Sequence, residues 1–137
     1  MAVIDELIRE EDNGSISFGN YELDSKTKKD GFEYNGDVYK IKTFNEITKL
    51  EKNGMFVYES VPGTAVHEFR SNGEKAMFIV EGDKDAQVTI ELEPETEYKV
   101  HVDDVYVGKM KTNLGGKLSI SVELEENDQV SVVVEKN

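Results

Sequence analysis

From Met55 onward, apolar residues recur at every second position in short runs, and Gly, Pro, Asn or Asp separates each run from the next. A period of two belongs to a half-buried strand, because successive side chains leave a strand on opposite faces. Valine supplies 16 residues, and its branched Cβ sits best on a pleated surface. Eight strands are expected, over 55–61, 65–70, 75–81, 87–93, 97–102, 105–112, 117–124 and 129–135. Turn residues such as Pro62-Gly63, Ser71-Asn72-Gly73 and Asp103-Asp104 punctuate them, as in an antiparallel sandwich or barrel. Leu118, Ile120, Val122 and Leu124 alternate without fault, as do Val130, Val132 and Val134. Tyr98, Val100 and Val102 are expected to face Val105 and Val107 across a two-residue turn. Met110 then has the wrong parity, which a bulge at Gly108-Lys109 would restore.

The N-terminal third reads differently. Val3, Ile4, Leu7 and Ile8 have the spacing of a short amphipathic helix. Residues 16–23 read as a hairpin turning at Gly19-Asn20, with Ile16, Phe18, Tyr21 and Leu23 on one face. Residues 24–31 read as polar linker. Asn35-Gly36 tolerates the positive φ angles of a type I′ turn, so 32–41 should pair as a hairpin with Phe32, Tyr34, Tyr39 and Ile41 on one face. Thr43 and Glu46 have capping-box spacing, Phe44, Ile47 and Leu50 recur every third residue, and Asn53-Gly54 suits a C-terminus. Together they predict a helix over 44–53. The resulting expectation is mainly β within an α+β class. An antiparallel sandwich of seven to eight strands (54–137) is preceded by a small hairpin layer and two short helices (1–53), and the two parts can share one core. For this mass, roughly 22,000 Å² of unfolded surface should shrink to roughly 7,000 Å².

Charge and motifs exclude more than they assign. A formal net charge of −13 argues against nucleic acid and anionic membranes, both of which need clustered Lys and Arg. Without cysteine there is no thiolate nucleophile and no Cys-based zinc site. With 29 Asp and Glu, carboxylate pairs arise at every spacing and none can be singled out as an acid/base couple. Asp83 and Asp85 stop short of a calcium loop, which needs six to eight oxygen ligands, and suit turns instead. Gly115-Gly116 reads as a hairpin turn. The start of the chain lacks a basic region and a continuous apolar stretch, so it is no secretory signal and, if native, points to the cytoplasm. One outward surface combines cation, imidazole and phenol: Lys99, His101 and Tyr106, with Ser119 and Ser121 outward on a later strand. It is a candidate ligand face. No cofactor and no metal site is expected.

Residues 43–66 and 98–124, especially Thr112-Asn113-Leu114-Gly115-Gly116-Lys117-Leu118-Ser119, resemble a family of short uncharacterised proteins from anaerobic gut bacteria, often labelled endosialidase. Sialidases hold a substrate carboxylate with three arginines on a propeller of blades of about 40 residues. This chain has only Arg9 and Arg70, so the label implies no catalytic residue here. The C-terminal half is similar in pattern to the immunoglobulin-like and prealbumin-like sandwich modules of bacterial surface proteins. The expected function is a non-enzymatic binding or assembly protein, a homo-oligomer or the partner of another protein. A carbohydrate-binding accessory module using Tyr106 and His101 is the alternative, and a hydrolase comes after it.

Overall fold

The computed structural model describes residues 3–125 and 127–137. These residues form two antiparallel sheets and no helix. The first sheet has seven strands in the order β1 (Ile8–Glu10), β2 (Ile16–Phe18), β7 (Ala65–Ser71), β8 (Lys75–Glu81), β13 (Gln129–Lys136), β10 (Glu97–Val102) and β11 (Val105–Lys111). The second has six, in the order β12 (Lys117–Val122), β9 (Ala86–Glu91), β6 (Met55–Val61), β5 (Thr48–Lys52), β4 (Asp37–Thr43) and β3 (Thr27–Tyr34).

The sheets meet face to face around Tyr58 of β6, which is fully buried. Its ring lies edge-on to Phe18, Phe78 and Phe69 of the first sheet, with centroids at 5.2, 5.9 and 6.3 Å. Each such aromatic pair contributes roughly 0.5–1.5 kcal/mol beyond area burial. One apolar cluster runs from Ile8 to Val134 and takes side chains from both sheets. The folded surface is 7265 Å², about a third of that of the extended chain.

A polar chain fixes the place where the backbone crosses from β6 to β7. The Tyr58 and Ser60 hydroxyls bond to Thr64 Oγ1 at 2.9 and 2.7 Å. Thr48 Oγ1 donates to the Thr64 carbonyl at 2.8 Å and pairs with Thr43 Oγ1 at 2.8 Å. Thr43 in turn accepts the Asn20 amide. Every one of these hydroxyl-bearing residues is fully buried, and each has a partner, as burial requires.

This chain explains why no helix forms over 44–53. Thr43 is spent inside the network and cannot cap. Thr43 and Thr48 are the closing pair of a hairpin, with the Phe44 amide bonded to the Ile47 carbonyl at 3.0 Å across the loop. Tyr39, Ile41, Thr43, Thr48 and Leu50 are all buried, so period two wins over the three-residue apolar spacing. The expected helix at Val3–Ile8 is also absent. Ile4 and Ile8 are buried, but through a turn at Asp5-Glu6 and a left-handed Leu7 (φ 72°) that leads into β1.

Other expectations are corrected in the same way. Residues 16–23 make no hairpin, because β2 pairs with β1 and β7. Most of the expected linker 24–31 lies in β3, an edge strand whose residues there are largely exposed and need no apolar side chain. There is no separate hairpin layer, since β3, β4 and β5 continue the second sheet. Gly115-Gly116 joins strands of different sheets and so is no hairpin turn. Val105 and Val107 do not face the core: β11 is an edge strand and leaves them 61% and 50% exposed. The bulge falls at Val107, one residue earlier than expected, since His101 pairs with Tyr106 and Val100 with Gly108. Met110 does return to the core side.

All eight expected strands after Met55 are present, and the Asn35-Gly36 hairpin has both φ angles positive, 53° and 84°.

The crossing yields a sharp test. A Cβ on Gly63 would lie 1.9 Å from the Phe44 carbonyl oxygen, whereas one on Gly115 meets only Asn113 Oδ1 at 3.5 Å. Gly63→Ala should therefore lower the unfolding free energy by roughly 2–3 kcal/mol or more. Gly115→Ala should stay within about 0.5 kcal/mol of the parent. Urea unfolding of the two variants checks this.

Candidate functional site

The threonine network closes one end of the sandwich; at the other end the strand ends enclose a cleft of about 870 Å³. Its walls come from both sheets. The β3–β4 hairpin supplies Tyr34 and Tyr39, the β5–β6 turn supplies Asn53 and Phe56, and the β7–β8 turn supplies Arg70 and Asn72. The end of β9 adds Glu91, Leu92 and Glu93.

Tyr34 and Tyr39 share a face because Phe32 pairs with Tyr39 across the Asn35-Gly36 turn. Their ring centroids are 6.5 Å apart. Burial raises the Tyr39 hydroxyl above its ordinary pKa, with the neighbouring Asp37 and Tyr34 acting in the same direction. The Tyr34 hydroxyl donates to the Gly14 carbonyl, and Arg70 Nη2 donates to the Asn13 carbonyl. These two bonds anchor the loop before β2 at the rim. Lys117 Nζ stands 4.5 Å from the centroid of Phe56, within cation–π range.

Two of the three carboxylates of the cleft, Asp37 and Glu93, are partnered. Asp37 accepts from Asn53 Nδ2 at 2.8 Å and meets Lys52 at 3.6 Å. Glu93 meets Lys136 at 3.0 Å, and the Glu93 amide donates to the Tyr98 hydroxyl at 3.1 Å. Cations Lys52, Arg70 and Lys75 match anions Asp37, Glu91 and Glu93. The cleft is thus formally neutral in a molecule of net charge −13.

A second polar cluster lies under cover on the outer face of the first sheet. His67 Nε2 and Glu81 Oε1 are 2.9 Å apart and only 5% and 8% exposed as residues. The Tyr21 hydroxyl donates to the other Glu81 oxygen at 3.1 Å. Burial, followed by the Glu81 charge, pushes the Tyr21 hydroxyl well above the usual phenol range. Nearby, the Ser17 hydroxyl donates to Glu11 and accepts the Glu68 amide at 3.0 Å. That hydroxyl is the main reason the Glu11 carboxyl sits below its ordinary 4.5; Arg9 and His67 add to the shift, and burial opposes it.

His101 pairs directly with Tyr106 and Lys99 with Lys109. The His101 and Tyr106 ring centroids are 5.4 Å apart, and Tyr106 is 50% exposed. Lys99, His101 and Tyr106 therefore share the outer face of the first sheet. Ser119 and Ser121 are not with them. They lie on the second sheet, bonded to Thr89 at 2.9 Å and Gln87 at 2.8 Å.

The turn aspartates bond to backbone. Asp85 Oδ1 accepts the Leu124 and Glu125 amides, and Asp103 Oδ1 accepts the Ser131 amide. Among the described residues, no group of three or more His, Asp or Glu is placed to hold a metal ion, and no helix is long and apolar enough to cross a membrane.

Sequence reasoning missed both the cleft and the His67–Glu81 pair. The hairpin signal put Tyr34 and Tyr39 on one face, but their opposite wall comes from segments far along the chain. His67 and Glu81 have outward parity on adjacent strands, and their burial depends on cover that no local pattern announces. No family model, curated protein or solved structure matches this chain.

Because its folded-state pKa is depressed, Glu11 adds stability that is present above about pH 4.5 and is lost as the pH falls through the folded value. Ser17→Ala should flatten the decline in urea midpoint on acidification from roughly pH 5 to 3. An unchanged slope would mean that Ser17 does not hold the Glu11 charge.

Proposed function

We propose that this chain is a non-catalytic binding protein on a β-sandwich scaffold, and that its ligand lies in the end cleft. One observation carries the reading. Rings from Tyr34, Tyr39 and Phe56 line a cleft of about 870 Å³ that is walled by both sheets, which is the size and make-up of ligand sites in general. Met55 and Met77, 65% and 41% exposed, add flexible, polarizable surface that adapts to a ligand's shape. The rim is held by backbone bonds from Tyr34 and Arg70, so little ordering is left to occur on binding.

A binding role, and not a catalytic one, is supported by the state of the acids. Of the three cleft acids, Asp37 and Glu93 are engaged by cations and amides, which leaves Glu91 without a second free acid, whereas an acid/base couple needs two groups converging on one point with separated pKa values. The imidazole of His67 is engaged by Glu81, away from the cleft lining.

Amide spectra recorded against oligosaccharides, acyl chains and short peptides should shift at Asn35, Phe56, Ser71 and Leu92 for at least one of these classes. Phe56→Ala should then weaken that binding about tenfold, which is ~1.4 kcal/mol. A panel that moves none of the cleft amides would overturn the reading.

A further inference from the structure

The register of the first sheet draws a line that begins in the cleft and leaves it. Arg70 pairs with Met77, Met77 with Val133, Val133 with His101 and His101 with Tyr106. These five residues form one cross-strand row on the outer face, since their strand neighbours Ala76, Phe78, Val132, Val134 and Val100 are buried. Arg70 and Met77 also line the cleft. The row crosses four strand spacings, about 19 Å. Met77 and Tyr106 are 41% and 50% exposed, and Val133 and His101 are half-buried.

Beside it runs a second row, in which Lys75 pairs with Glu135, Glu135 with Lys99 and Lys99 with Lys109. The Lys75–Glu135 contact of 3.6 Å is solvent-exposed and contributes little. Three ammonium groups against one carboxylate make this strip locally cationic on a strongly acidic molecule.

We propose that the end cleft and this row form one continuous track for a linear acidic oligosaccharide lying across the strands. The inference rests on the cleft being the ligand site, and it names the ligand's class. The track has an apolar floor of Met77 and Val133 and ends on the His101–Tyr106 platform, which suits the C–H faces of sugar rings. A pyranose unit is comparable in length to one strand spacing, roughly 5 Å, so each unit meets one strand. Lys75, Lys99 and Lys109 flank the row and meet the acid groups.

The direction of the track argues against an extended peptide. Peptides gain affinity by pairing along a sheet edge, parallel to the strands, whereas a chain crossing the face meets side chains only. The net charge of −13 repels duplex nucleic acid, with a phosphate for about every 1.7 Å of axis, far more than a chain with one carboxylate per sugar or per pair of sugars.

Calorimetry with hexamers and dimers of galacturonate and of hyaluronan, with a neutral glucan hexamer as control, tests the track. At least one acidic hexamer should bind tenfold or more tighter than its dimer and than the neutral hexamer, and added salt should weaken it. The double variants Lys99→Gln/Lys109→Gln and His101→Ala/Tyr106→Ala should each weaken that hexamer at least fivefold while both proteins keep the parent's cooperative urea unfolding. If hexamer and dimer bind equally and only Phe56→Ala matters, the track is wrong and the cleft survives. If no acidic hexamer binds, the track is overturned, and the cleft stands or falls on its own panel. Equal binding of the neutral hexamer or of an oligonucleotide overturns the acidic-sugar assignment. A dimer of this chain that His101→Ala/Tyr106→Ala dissolves gives the face to a second copy and overturns the track as well.

Discussion

The buried hydroxyl chain through Tyr58, Ser60, Thr64, Thr48 and Thr43 is the constraint from which the rest of the architecture follows. Removing one member leaves its neighbours buried without partners, at a cost of about 1–3 kcal/mol each. The chain joins three strands of the second sheet to the segment that enters the first, and Asn20, just after β2, is tied to it through Thr43. It leaves so little room that Gly63 packs against the Phe44 carbonyl and Gly19 against the Thr64 carbonyl. Polar closure at this end, with aromatic packing of Tyr58 in the middle, fixes how the two sheets face each other. At the opposite end the Tyr98 and Thr112 hydroxyls tie the Gly73 and Glu93 carbonyls, and beside these turns and strand termini the cleft opens.

Legibility in the sequence followed how much of each element's environment is local. Every strand after Met55 was readable because turn residues bracket each one and the inward set, such as Leu118, Ile120, Val122 and Leu124, keeps strict parity. The Asn35-Gly36 hairpin was readable because turn chemistry and alternation agree. Thr43–Leu50 was misread because a capping box and a three-residue apolar spacing imitate a helix, while the competing use of Thr43 lies in partners such as Asn20 and Thr64 that are distant in sequence. Edge position misled in two directions: it hid a polar strand at Thr27–Tyr34 and left Val105 and Val107 outside the core despite their parity.

The candidate sites divide along the same line. Lys99, His101 and Tyr106 could be placed on one face from a single hairpin, and the register puts them there. The cleft gathers residues from Gly14 to Pro94, so only the assembled sheets reveal it. The cross-strand row links the two, because Met77 belongs to the cleft lining and also stands in register with Val133 and His101. In the binding role proposed above, an acidic surface with a local cationic strip and a formally neutral cleft would make charge, and with it ionic strength, a selective element.

Contacts between the Tyr58 ring and the rings of Phe18 and Phe78 bear most directly on the face-to-face arrangement that places both walls of the cleft. In a sample with labelled aromatic side chains, nuclear Overhauser cross-peaks from Tyr58 to both phenylalanines are expected, since the centroids lie 5.2 and 5.9 Å apart. Their absence, together with sequential amide contacts typical of a helix over 44–53, would contradict the two-sheet sandwich and remove the cleft with it.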